Sequence, residues 1–252
     1  MGPQMRVIYI LCLRQIKRYM RARARIIGSL GQPLLFLLAM GFGFGPIFRK
    51  AGGGNYIQFL APGIVIMGIL FTAVFSGIEI IWDRQFGFLK ETLVAPVSRL
   101  NIALGRTLGG AVVAFIQGLV VLVFCLIAGF RIEVAALLPV ALLAMFISAV
   151  LFSAIGMALG SVLEDMQAFP LIMNFLVMPL FFLSGALFPM KGLPEPLMFA
   201  MRADPVTYGV DSLRGTLGRA SLFGVGTDLI VLGAIATMLV SIGAYLFSRI
   251  EL

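Results

Sequence analysis

The sequence predicts an all-α integral membrane protein with six transmembrane helices, preceded by an amphipathic interfacial helix. Three observations lead there. The first is composition: of 252 residues, 61% are hydrophobic and only 12% charged, with a mean hydropathy of +1.08. Soluble domains average about 45–50% apolar and about 25% charged. The second is that the apolar residues fall into six runs, each long enough to cross a hydrocarbon core of about 30 Å. The third is that seven of the nineteen basic residues, Arg6 to Arg25, precede the first run. Such a block beside an apolar span meets anionic headgroups and fixes topology. Open strands are excluded, because lipid offers no partners for unpaired backbone groups.

The elements follow in order. Residues 4–25 read as a helix lying in the interface. Met5, Ile8, Tyr9, Cys12, Ile16, Tyr19 and Met20 recur at steps of three and four on one face. Arg14, Lys17, Arg18, Arg21 and Arg25 take the other. A disordered basic tail is the alternative. No small-residue cleavage site follows the apolar stretch Val7–Leu13, so the first span is expected to direct insertion itself. The spans are expected near 27–48, 57–82, 103–129, 134–162, 168–188 and 225–247, in one transmembrane domain over 1–252. With a cytoplasmic N-terminus, the inner side holds twelve basic residues and the outer side seven. The positive-inside rule therefore places both termini in the cytoplasm, in a cytoplasmic (inner) membrane.

Several chemistries are excluded. The chain has no histidine, so imidazole acid–base catalysis is absent, and its two cysteines, Cys12 and Cys125, form no zinc set. No G-x-x-x-x-G-K-[ST] loop is present, so this chain does not itself bind ATP through a phosphate loop. The net charge of +8 sits beside an apolar span rather than on a soluble face, which argues against nucleic acid as a partner. No cofactor is expected on this chain.

Two connections are too long to be plain turns. The inner one, 83–102, predicts a short helix over 83–95, with Phe86, Leu89 and Leu93 on one apolar edge and Arg84, Lys90 and Glu91 free for another surface. Pro96 ends it. Docking on another protein and lying partnerless in the interface are both compatible with that spacing. The outer connection, 189–224, is broken by Pro189, Pro194, Pro196 and Pro205, and reads as re-entrant or interfacial helices. Asp204 is placed to cap the turn after it, and Asp211 and Arg214, three apart, to pair on one helix face. A packed cap without cargo contact is the alternative. Within the spans Glu79 is the one deep carboxylate, near the inner end and within reach of Arg84 or headgroups. It is either functional or merely ion-paired. Gln117 and Asn174 could bond between helices or line a path, and Asp228 is placed to face water. Small pairs four apart, Gly41/Gly45, Gly105/Gly109 and Gly156/Gly160, allow close helix contact within the subunit or at a dimer seam.

The run Phe88-Leu89-Lys90-Glu91-Thr92-Leu93-Val94-Ala95-Pro96-Val97-Ser98-Arg99 resembles the cytoplasmic coupling segment of type 2 ABC transporter permeases. Ser184-Gly185 with Phe188-Pro189, then Asp204-Pro205-Val206-Thr207-Tyr208 and Asp211-Ser212-Leu213-Arg214-Gly215, resembles the C-terminal signature of the same family. That family includes drug-resistance, lipooligosaccharide and polysaccharide exporters. The resemblance implies a transport subunit rather than an enzyme. It implies two permease subunits, as a homodimer or as a heterodimer with a similar subunit, driven by two separate ATPase subunits that bind ATP and Mg. Phe86, Phe88, Leu89, Lys90, Glu91, Leu93, Pro96 and Arg99 would couple to the ATPase. Arg14, Lys17, Arg18 and Arg21 would belong to the gate helix, and Pro189, Pro205, Tyr208, Asp211 and Arg214 to the outer gate. The expected function is ATP-driven export of a hydrophobic or amphiphilic cargo (drug, lipid or lipid-linked glycan) by alternating access. A secondary transporter or channel without an ATPase is the alternative, against which stands the shortage of charge within the spans.

Overall fold

The computed structural model of the chain describes residues 3–50, 54–90, 97–189, 193–218 and 220–250. Among them no strand occurs. The order is α1 Pro3–Arg21, α2 Arg23–Gly43, α3 Gly45–Lys50, α4 Tyr56–Phe75, α5 Ile78–Gln85, α6 Arg99–Ile127, α7 Leu138–Val162, α8 Ala168–Leu183, α9 Glu195–Ala203, α10 Pro205–Gly218 and α11 Val225–Ser248. A single 3₁₀ turn, Ala135–Leu137, leads into α7.

Local sequence sets several of these limits. Asn55 caps α4, its side chain accepting from the Ile57 amide at 3.0 Å. Ser98 caps α6 through the Asn101 amide at 3.3 Å. Proline occupies the first turn of α7, where the missing amide hydrogen has no helical partner to lose.

Five stretches are long and apolar enough to cross a membrane: Arg23–Gly43, Tyr56–Gln85, Arg99–Ile127, Ala135–Val162 and Val225–Ser248. The chain is an integral membrane protein. The remaining expected span is shorter than its hydropathy indicates. Helix α8 has 16 residues, about 24 Å at about 1.5 Å per residue. Beyond it the chain continues without helix through Ser184–Leu187, which is buried.

Helix α4 is the axis of the bundle. Of its most apolar window 72% is buried, against 17% for Arg23–Gly43 and for Val225–Ser248. It is enclosed by α2, α6, α7, α8 and α10. The outer helices turn most of their apolar surface away from the protein, as lipid-facing or partner-facing helices do. The second expected span is broken at Ser76–Gly77. A Cβ at Gly77 would stand 2.0 Å from the Gly156 carbonyl oxygen, and one at Gly156 would stand 2.4 Å from that of Val74. The backbones of α4–α5 and α7 thus touch directly, which only glycine permits. Gly105 and Gly109 admit α1: a Cβ there would meet Leu11 at 3.0 Å and Gln15 at 2.8 Å. Both pairs act in packing within the chain. Gly41 packs on Ile57, whereas Gly45 meets nothing within 4 Å.

A small second hydrophobic cluster sits at the end of the bundle that carries α1. It joins Leu11, Ile80, Leu89, Ile102, Met157 and Phe247, with Val7 and Val97 against it. The opposite end carries α9 and α10 and is referred to below as the cap.

Candidate functional site

At the α1 end an ion-pair network ties four elements together. Asp83 of α5 accepts from Arg106 of α6 at 2.5 Å and from Arg14 of α1 at 2.8 Å. Glu79, one helical turn earlier, accepts from Arg25 of α2 at 2.6 Å. Arg18 lies 3.6 Å from Glu79 and 3.7 Å from Asp83, with its guanidinium over the Trp82 ring. Asp83 and Arg106 are about 95% buried, while Arg14, Arg18 and Arg25 keep a third to a half of their side chains exposed. Four guanidinium groups thus meet two carboxylates, leaving two positive charges in excess. Nearby, Tyr19 donates a buried hydrogen bond to Gln117 of α6.

This arrangement corrects several expectations. Glu79 is ion-paired, but to Arg25 and Arg18; Arg84 turns instead to Glu164 at 3.4 Å. The N-terminal helix ends at Arg21, and Arg25 belongs to α2. Its apolar face is divided: Ile8, Leu11 and Cys12 pack on α6, while Met5, Tyr9 and Met20 remain more than half exposed. Lys17 and Arg21 are exposed and form no ion pair among the described residues. Burial raises the Cys12 thiol above its usual range. Asp83 and Arg106 escaped the sequence reading. Glu79 and Asp83 share one helix face at a spacing of four, which matches the spacing of Arg14 and Arg18, and that complement was the available signal.

The inner connection is also broken where one helix was expected. Gly87 takes φ +80°, a left-handed conformation that ends α5 and lets a new helical turn begin at residue 88. Phe86 and Leu89 therefore do not share an edge. Leu89 is fully buried in the small cluster, while Phe86 is 69% and Phe88 54% exposed, and Lys90 is exposed. Arg99 is not presented outward as a free charge: it donates to the Ser248 and Ile250 carbonyl oxygens at 2.7 and 3.1 Å. Glu91, Leu93 and Pro96 lie outside the described residues.

The cap is built differently. Arg214 donates to the Gly185 and Ala186 carbonyl oxygens at 2.9 and 3.1 Å and to Phe59 at 3.3 Å, and lies 3.8 Å over the Phe59 ring. Tyr56 donates to the Leu187 carbonyl oxygen at 2.9 Å. The non-helical stretch after α8 is thus supplied with donors that water cannot bring. Burial lowers the Arg214 pKa to about 10, against the pull of Asp211. No ion pair forms between Asp211 and Arg214. Asp211 instead accepts from Ser221 Oγ and the Leu222 and Phe223 amides, at 2.9–3.0 Å. Asp204 caps as expected, accepting from the Val206 amide at 2.8 Å, and burial pushes its pKa up to about 7. Tyr208 donates to the Arg202 carbonyl oxygen at 2.8 Å and lies against Phe223, the ring centroids 5.4 Å apart and the planes tilted by 33°. Pro205 is half-buried and Pro189 exposed. Asp228 does not face water: it is fully buried in the first turn of α11, and neither of its carboxyl oxygens has a hydrogen-bond partner among the described residues. Asn174 is exposed on α8.

The separated parts of the C-terminal signature meet in this cap, Arg214 of the later part holding Gly185 of the earlier one. The ABC-2 type transporter family profile matches residues 6–217. The chain belongs to the ABC-2 type transporter membrane family. Relatives within it include ycf38 of Cyanophora paradoxa, whose name describes a transport permease; it is 28% identical over 214 residues, covering 82% of this chain and 72% of that protein. Nodulation protein J of Rhizobium leguminosarum bv. trifolii is 28% identical over 195 residues, covering 77% and 74%. Nodulation protein J of Rhizobium meliloti (strain 1021) is 26% identical over 210 residues, covering 82% and 79%. ABC-2 permeases are transport components that work with ABC ATPase subunits.

Proposed function

We propose that this chain is the membrane half of an ATP-driven exporter for an amphiphilic cargo, working as a pair of copies with two separate ATPase subunits. Family membership supports a permease. The observation that carries the coupling mechanism is that Leu89 and α1 share one hydrophobic cluster, while Phe86, Phe88 and Lys90 are exposed beside it. An ATPase gripping the exposed groups would push Leu89, and through it Leu11, Ile102 and Phe247. The ion pairs of Arg14 and Arg18 with α5 would carry the same displacement to α1. In this reading the α1 end is cytoplasmic and α1 lies in the interface, with Met5, Tyr9 and Met20 toward lipid. The chain then crosses six times, the stretch Ser184–Leu187 completing the short α8. The amide of Asn174, exposed on an apolar helix, finds its partner on the second copy.

Co-expression with a neighbouring ATPase tests the reading. The two should co-purify, and the double variant Phe86→Ser, Phe88→Ser should abolish the permease's effect on ATP hydrolysis while leaving the permease folded. ATP hydrolysis indifferent to that variant, or absence of any ATPase partner, would overturn it.

A further inference from the structure

A cleft of about 530 Å³ opens between α1–α2 and α4–α5, beside the ion-pair network. Its walls are mostly apolar, with Phe71, Phe75 and Ile78 prominent. Its polar lining comes from Tyr19, Arg25, Ser29, Gln32, Thr72 and Trp82, of which Arg25 also belongs to the network. Two of them stand out. Thr72 is 92% buried and its hydroxyl has no hydrogen-bond partner among the described residues. The indole N–H of Trp82 is likewise buried and unpartnered. A buried donor left without an acceptor is costly, and an indole nitrogen can only donate. The cleft is thus supplied with two donors that nothing among the described residues uses, next to a charge set with two guanidinium groups in excess. Its volume lies in the range of small-molecule sites.

We infer that this cleft seats the anionic, oxygen-rich head of an amphiphile, a phosphodiester or similar group, with Thr72 and Trp82 donating to its oxygens, Arg25 facing its charge, and the chain lying along Phe71 and Phe75. A zwitterionic head would bring its own cation into a field that already has an excess of positive charge, so the site selects for net negative heads. An inorganic anion alone would leave the phenylalanine walls uncovered. The occupant is either the cargo awaiting movement or a resident membrane lipid; only the first alternative rests on the exporter reading.

The test uses the full chain in nanodiscs of equal parts phosphatidylglycerol and phosphatidylcholine. After gentle extraction, native mass spectrometry should find phosphatidylglycerol retained in preference to phosphatidylcholine. The variants Thr72→Val and Trp82→Phe keep shape and remove one donor each. Each should lower that retention by about tenfold, the equivalent of one hydrogen bond to a charged oxygen, with an unchanged melting temperature. Arg25→Gln should reduce the preference for the anionic lipid. Equal retention of both lipids, or retention unaffected by Thr72→Val and Trp82→Phe, overturns the assignment. With the ATPase added, ATP-dependent movement of labelled phosphatidylglycerol identifies the occupant as cargo, and retention without movement identifies a resident lipid. Either source supports the head site, and loss of ATP dependence alone counts against the exporter reading only.

Discussion

The two ends of the bundle both bury charge, but they spend it in opposite ways. At the α1 end, carboxylates and guanidinium groups from four separate helices pair with one another, and three of the four arginines stay partly in water. At the cap, charged groups act singly on backbone: Arg214 on the carbonyl oxygens after α8, Asp211 on the amides of residues 222 and 223. A half-exposed ion pair can exchange partners, because water and a second arginine substitute for the first at little cost. A backbone carbonyl inside an apolar layer has no substitute donor. The α1 end is therefore suited to movement and the cap to holding its shape.

That contrast can be broken most severely at its one buried pair. Asp83→Ala leaves Arg106, with a side chain 4% exposed, without its main counter-charge. Removing one partner of a buried pair costs about 3–5 kcal/mol, so the purified protein should show a large drop in melting temperature, whereas Arg14→Gln should show a small one. A smaller loss is expected at the backbone contact that joins the halves of the bundle. At Gly77, alanine would place a methyl group 2.0 Å from a carbonyl oxygen. Overpacking costs about 1–3 kcal/mol, here toward the upper end because backbone must shift; thermal unfolding measures it.

The cap should respond to pH through Asp204. The Asp204 pKa is about 7 in the folded chain, against about 3.9 in an unfolded one. Between those values the folded state keeps a proton that the unfolded state has lost. Stability from this group is therefore complete below about pH 4 and is lost as pH rises through 7. Asp204→Asn should flatten that part of the profile of melting temperature against pH. The smallest effect belongs to Glu164, 84% exposed and 3.4 Å from Arg84. Glu164→Ala should cost less than about 1 kcal/mol, and salt should erase the difference.

The same contrast explains what could be read in advance. Long helices were legible because each apolar run reports its own burial: the expected 103–129 and 134–162 lie within or close to α6 and the turn-plus-α7 segment. The breaks were not. Hydropathy does not register that Gly77 touches the Gly156 carbonyl oxygen, so α4 and α5 read as one span. Nor does it register Gly87, whose positive φ separates Phe86 from Leu89. An amphipathic pattern marks a face without saying what covers it, so lipid and α6 could not be told apart along α1. In the cap, the residues Arg214 and Asp211 were visible as charges, but their partners are backbone groups, which carry no signature in sequence. Of the inner carboxylates Glu79 was visible, as a charge within an apolar run, although which arginine reaches it depends on how α1 and α2 approach α5.

The most direct measurement compares two distances by double electron–electron resonance in the assembled, nucleotide-cycling complex. One spin-label pair, at the exposed Lys17 and Glu164, spans the α1 end; another, at the exposed Phe199 and Leu222, lies within the cap. Trapping with ATP should shift the Lys17–Glu164 distance and leave the Phe199–Leu222 distance unchanged. An unmoved α1 end, or a cap that rearranges internally while α1 stays in place, would contradict the division of the molecule into a mobile charged end and a fixed one.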